Sequence, residues 1–291
     1  MDTWTAGLLC KADLQLGEGA HWHPEWKKFL YVDIERGRVG CIDAVTGIME
    51  EKEVYKRVGT VVPYKNDTLI VALQGSIEAF DFATGELKRL TGIETDRSAN
   101  RCNEGKCDAA GRLWVGTMQV NAAPGAGALY CYNGSLQKKL EGISVSNGIC
   151  WSNDDRTMYY IDSFEYHIRA YDYDGVTGMI TNERIVVEIK EPGCMPDGMA
   201  IDEGGMLWVA MWGGACIQRY DPGNGNLIGR VIVGVPNVTS CAFGGENLDE
   251  LFITTARSDL SSAQLQAYPL SGSLFIAKVN IKGNPPNFFK L

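Results

Sequence analysis

Apolar residues along this chain come in short runs, each closed by Gly, Asp or Asn, and the runs recur in a fixed order. The first run of each unit opens on a polar residue: "EGAHW" at Glu18, "TVVPY" at Thr60, "NEGKCD" at Asn103, "NGICW" at Asn147, "DGMAI" at Asp197 and "TSCAF" at Thr239. An aromatic-rich run follows, as in "KFLYVDI" (28–34), "GRLWVGTM" (111–118) and "GMLWVAMW" (205–212). A third run ends in Asp and a Gly-bearing turn, as in "VGCIDAVTG" (39–47), "IEAFDFATG" (77–85) and "IQRYDPGNG" (217–225); the last unit ends in "GSLFIAKV" (272–279). Runs this short, punctuated this way, predict strands. The Gly of each turn supplies the positive φ that a tight hairpin needs.

Six units of about four short strands predict an all-β fold, a six-bladed β-propeller, because radial repetition leaves only short strand edges. Helical periodicity is nearly absent, which speaks against a doubly wound α/β sheet. A β-sandwich would not produce six similar units. No linker, charge block or low-complexity segment interrupts the series, so residues 1–291 are expected to form a single propeller domain.

The architecture gives the polar openings a meaning. The innermost strand of each blade runs along the central channel, so equivalent positions in different blades lie on one ring. Glu18, Thr60, Asn103, Asn147, Asp197 and Thr239 are spaced by 42, 43, 44, 50 and 42 residues. The ring therefore carries two carboxylates and two amides, and Glu18, Asn147 and Asp197 are each followed by Gly. Facing carboxylates repel, so either one stays protonated or a cation sits between them. Such hard oxygen donors suit Ca²⁺, Mg²⁺ or Mn²⁺, and admit Zn²⁺. Arg101 lies two residues before Asn103 and points the same way along an extended strand. It either binds a carboxylate or hydroxyl-rich ligand at the channel mouth or forms a surface ion pair.

Composition narrows the partners. The 291 residues carry a formal charge of −9, which argues against nucleic acid or an anionic membrane. No apolar run is long enough to span a bilayer. The start, "MDTWTAGLLCKADLQLGEG", has no basic region of the secretory type, and a cytoplasmic location is expected. Nine cysteines occur without a CxxC pair and are expected to be reduced, buried in strands as small hydrophobes. His21 and His23 share one strand face and read as blade residues rather than a metal pair. There is no HExxH and no GxSxG. "DYDGVTGMITNE" (172–183) fails the EF-hand pattern at Val176 and Thr177 and reads as a hairpin.

The segments "LGEGAHW", "RCNEGKCDAAGRLWVGTM", "VSNGICWS", "YYIDS", "PDGMAIDEGGMLWVA" and "TSCAFGG" resemble the regucalcin (senescence marker protein)/gluconolactonase/luciferin-regenerating-enzyme family, from about Leu16 to Lys278. The resemblance implies a six-bladed propeller with one divalent cation in its channel, a metal-binding channel lined by the ring. It implies that Glu18, Asn147 and Asp197 hold the metal, that Asp197 also serves as general base, and that Arg101 and Asn103 bind substrate. Where animal members of the family carry a second, sugar-contacting Glu after "GTM", this chain reads "GTMQVN" and places Asn121. Glu104 stands where the family has Asp. The function implied is a metal-dependent sugar lactonase acting on a small-molecule lactone with one Ca, Zn, Mg or Mn ion. The alternatives are a non-catalytic calcium-binding regulatory protein and a luciferin-regenerating-type or other ester hydrolase.

Overall fold

Alternation decides the packing in the computed structural model, which describes residues 1–291. In the second strand of the first unit, Phe29 and Tyr31 pack toward the last unit, while Leu30 and Val32 pack toward the next. Side chains on a strand point alternately to opposite faces. Here both faces are covered, so the inner strands read as nearly continuous apolar runs. Six separate apolar clusters result, one between each pair of neighbouring units. The units are six blades around one channel, and the sixth inner strand lies beside the first, closing the ring.

From the axis outward, blade 1 comprises Gly17–His23, Lys28–Asp33, Arg38–Asp43 and Met49–Glu53. The other inner strands are Val58–Lys65, Asn100–Cys107, Ser146–Trp151, Met195–Ile201 and Val238–Gly244, in blades 2 to 6. Consecutive strands within a blade pair antiparallel, as the hairpin turns require. The recurring Asp of the third run is the turn-maker. Asp43 Oδ1 accepts from the Val45 and Thr46 amides at 2.8 and 2.9 Å, and Asp81, Asp174 and Asp221 act likewise.

Blade 6 departs from the expected sequential build. Its outermost strand is Gly7–Cys10 from the N-terminus, paired antiparallel with Leu274–Lys278. Asp2–Thr5 adds a parallel fifth strand to blade 5. The ring is therefore held shut by hydrogen bonds between its two ends. The C-terminal tail crosses the far end of the channel and docks Phe289 between Tyr64 and Tyr132. All nine cysteines are free thiols, eight of them buried. No helix is long and apolar enough to cross a membrane.

Two blades carry a repeated buried anchor, an Asp six residues before a Trp. Asp202 Oδ2 accepts from Trp208 Nε1 at 2.9 Å and from Arg219 Nη2 at 2.7 Å, and Asp202 Oδ1 accepts from the Met206 amide. Asp108 holds Trp114, Arg112 and Tyr173 in the same manner. Both carboxylates are fully buried. Removing one partner of a buried ion pair costs about 3–5 kcal/mol because the other charge is stranded. Asp202→Ala is expected to lower the thermal unfolding midpoint by about 5–8 °C. A scanning-calorimetry shift of less than about 2 °C would show that the anchor is dispensable.

Candidate metal and substrate site

The inner strands do not run as regular ladders. In every blade the pairing with the second strand slips at the ring position: after Glu18, after Val58, after Cys102, after Ser146, after Pro196 and after Val238. A bulge leaves a residue without a cross-strand partner and re-aims its side chain. The six slips lie at one height: Asn103, Asn147, Asp197 and Thr239 fall inside them without a ladder partner, while Glu18 and Thr60 border them and stay paired with Val32 and Ala72. The glycines after Asn147 and Asp197 are required by close approach. A Cβ on Gly198 would lie 2.6 Å from Ser240 Oγ and 2.8 Å from the Thr239 carbonyl oxygen. One on Gly148 would lie 2.9 Å from the Asp197 carbonyl oxygen.

The six positions divide in two. Thr60 and Thr239 donate to the carbonyls of Gly105 and Gly17 at 2.8 and 2.6 Å and so stitch neighbouring blades together. Glu18, Asn103, Asn147 and Asp197 converge on one cavity of about 590 Å³. All four are at most 5% exposed. Asn103 Nδ2 donates to Asn147 Oδ1 at 3.1 Å and to the Ser146 carbonyl at 2.7 Å. Asp197 Oδ1 is buried with no hydrogen-bond partner.

Asn147 is aimed by a residue that sequence reasoning did not single out. The Ser163 hydroxyl donates to the Pro196 carbonyl at 2.6 Å, so its oxygen is left to accept from Asn147 Nδ2 at 2.8 Å. With the amide nitrogen committed outward, Asn147 Oδ1 turns to the channel. The only sequence signal for Ser163 was its place at the end of "YYIDS".

Arg101 is buried rather than paired at the surface. Its Nη1 donates to Asn103 Oδ1 and to the Cys102 carbonyl, and Nε has no partner. Asn121 is not brought to the cavity. The chain turns at 120–121, Asn121 is exposed, and the wall there is Val120 and Ala122. Glu104 adds a third buried carboxyl, 3.6 Å from Lys106 Nζ, with Oε2 unpartnered. Its bulge leaves both Asn103 and Glu104 outside the ladder.

Electrostatics mark the ring as short of positive charge. Burial, then the Glu104 charge, pushes the Glu18 carboxyl up to about 8. Burial, then the Glu18 and Glu104 charges, holds Asp197 well above the usual carboxylate range. Burial raises Glu104, against the pull of Lys106. His21 and His23 are pushed down to about 3 and 4, mainly by burial, and are neutral. His23 stacks on Trp26 and accepts its amide. His21 instead lines a second cavity of about 270 Å³ toward the opposite end, with Lys106 and the tail, away from the ring's oxygens.

The ring fits a hard divalent cation. No three His, Cys, Asp or Glu side chains gather in metal-holding geometry, so an ion here would need the Asn147 amide oxygen beside the Glu18 and Asp197 carboxylates. The unpartnered Asp197 oxygen and the two raised carboxyls are the features such an ion would satisfy.

A family model described as the SMP-30/Gluconolactonase/LRE-like region matches residues 16–257. Regucalcin from Gallus gallus is 35% identical over 280 residues, spanning 94% of each chain. The crystal structure of regucalcin from Agrobacterium tumefaciens, described as a calcium-binding protein, aligns with a TM-score of 0.96 at 27% identity, covering 100% of this chain and 99% of that one. A luciferin-regenerating enzyme structure aligns with a TM-score of 0.90 at 31% identity, covering 96% of each chain.

Two measurements test the ring as a cation site. Ca²⁺ at about 100 times its Kd is expected to stabilise chelator-stripped protein by about 2.7 kcal/mol, raising the midpoint by about 4–5 °C. The shift should vanish in Glu18→Ala; an equal shift there would place the ion elsewhere. By titration calorimetry, Ser163→Ala is expected to weaken cation binding about ten-fold or more, with Ser163→Thr retaining it. Wild-type affinity in Ser163→Ala would show that Asn147 needs no such support.

Proposed function

The chain belongs to the SMP-30/gluconolactonase/LRE-like family, and from that premise and the channel's chemistry we propose that it is a divalent-metal-dependent sugar lactonase, opening aldonolactones to aldonic acids. The observation that carries the reading is the buried, unpartnered Asp197 oxygen beside a second carboxyl, with a buried, unsaturated arginine lining the same cavity.

Glu18, Asn147 and Asp197 would hold the ion, which when bound supplies Lewis acidity toward a lactone carbonyl oxygen and the developing oxyanion. Asp197 accepts a proton from the water that adds to the carbonyl carbon. The ring C–O bond then breaks and the same carboxyl returns the proton to the departing alkoxide oxygen. Arg101 fixes the substrate. Asn103 and the Cys102 carbonyl occupy Nη1, which leaves Nη2 and Nε to donate to lactone hydroxyls. Asn103 spends its amide hydrogens on Ser146 and Asn147, so its contact with substrate is as an acceptor through Oδ1. The apolar blade interfaces around the ring keep bulk water from competing for these groups.

A pH-indicator assay decides the matter. Chelator-stripped protein refilled with Ca²⁺, Mg²⁺, Mn²⁺ or Zn²⁺ is offered D-glucono-δ-lactone and other aldonolactones, with spontaneous opening subtracted. Asp197→Asn keeps an oxygen donor but removes the proton acceptor, so cation binding should persist while kcat falls about 10²–10⁴-fold. Near-wild-type turnover in Asp197→Asn would remove Asp197 as the base. Tight Ca²⁺ binding with no turnover by the wild-type protein on any lactone would leave a non-catalytic calcium binder.

A further inference from the structure

The cavity mouth is chemically lopsided. Blades 6 and 1 line it with Ser258, Asp259, Gln15 and Glu35 and a single apolar side chain, Leu16. Blades 3, 4 and 5 line it with Met118, Val120, Val145, Phe164, Met195 and Trp212. This apolar arc is continuous with the ring. Met118 is the ladder partner of Arg101, and Met195, two residues before Asp197, pairs with Trp212. Phe164 directly follows Ser163, the residue that aims Asn147.

Phe164 is 40% exposed although it is a large apolar side chain. A turn holds it there. Its amide donates to Asp162 Oδ1, and Tyr166 closes the turn in a left-handed conformation at φ 55°. Trp212 and Met195 are only half-buried. A pocket of about 590 Å³ is of the size that encloses drug-sized ligands. Methionine and valine offer no hydrogen bond to a hydroxyl, and a fully hydroxylated ring would leave its oxygens unmatched against them. An apolar substituent would instead remove those side chains from water.

We infer that the arc of blades 3 to 5 is a specificity subsite for the apolar substituent of a lactone, so that alkyl- or aryl-substituted lactones form a second substrate class beside the sugar lactones. The inference rests on the lactonase reading for its chemistry. Water adds to the ring carbonyl, the ring C–O bond breaks and one hydroxy acid leaves. The substituent lies on Phe164, Trp212 and Met195 while the carbonyl faces the oxygen ring.

The test compares δ-nonalactone with unsubstituted δ-valerolactone on metal-loaded protein, each rate divided by that lactone's own hydroxide rate. The butyl group is expected to raise kcat/KM at least about ten-fold. Phe164→Ala should shrink that ratio several-fold, and Phe164→Leu should keep it. A wild-type ratio near one, or an equal ratio in Phe164→Ala, overturns the inference even if sugar lactones are hydrolysed. If no lactone is turned over, the lactonase reading has failed and binding decides separately. By titration calorimetry, 3-butylcyclohexanone, in which a CH2 replaces the ring oxygen of δ-nonalactone, should bind about ten-fold tighter than cyclohexanone to wild type and Phe164→Leu, but not to Phe164→Ala. Equal affinities for the two ketones in the wild-type protein overturn the subsite.

Discussion

Two carboxyl groups, Glu18 and Asp197, are buried together at the axis of the propeller, and no protein cation is bonded to either. Much of the surrounding design follows from that. Glu104, the third carboxyl in the channel, has Lys106 beside it. Arg101 is committed to Asn103 and to backbone. The uncompensated pair resists ionisation, which is why both groups sit above their ordinary range. Taken alone, the pair works against folding. Six apolar clusters between the blades outweigh it, and the local conflict is concentrated where a divalent cation would resolve it.

The propeller suits this arrangement because it brings six equivalent backbone positions to one height without asking them to be alike. Two of the six are threonines that hold blade to blade, and four are ligand-type side chains that share the cavity. Bulges aim Asn103, Asn147 and Asp197, and the glycines after Asn147 and Asp197 make room for it. Closure of the ring by Gly7–Cys10 matters to the site as well as to stability. The sixth blade must lie against the first for Thr239 to reach the Gly17 carbonyl, next to Glu18.

Short apolar runs, the turn residues that close them and their six-fold recurrence were enough to read the blades and the height of the ring. The outer strand of blade 6 was not legible, because Gly7–Cys10 is short and its partner lies at the other end of the chain. The finer make-up of the channel was hidden for a local reason. Strict alternation sends Asn103 and Glu104 to opposite faces, whereas the bulge frees both from the ladder, and Glu104 joins the channel. Ser163 was invisible because its role depends on where its proton goes, to Pro196, and no pattern of residue types encodes that. At Asn121 the turn leaves an exposed amide between the two apolar residues that meet the cavity.

The same short segments carry both the oxygen ring and the apolar arc, and this ties selectivity to chemistry. Ser163 aims a ring amide and Phe164, its neighbour, walls the mouth; Asp197 lies in the ring and Met195, on the same strand, in the arc. A ligand pressing on the arc therefore bears on the backbone that positions the ring. In the proposed lactonase, binding energy from a non-reacting substituent would then be available to align the carbonyl with Asp197, which is where remote contacts are most useful to an enzyme. Polar residues on blades 6 and 1 meet the opposite side of the same ligand. The lopsided mouth would thus fix which way a lactone enters before any bond changes.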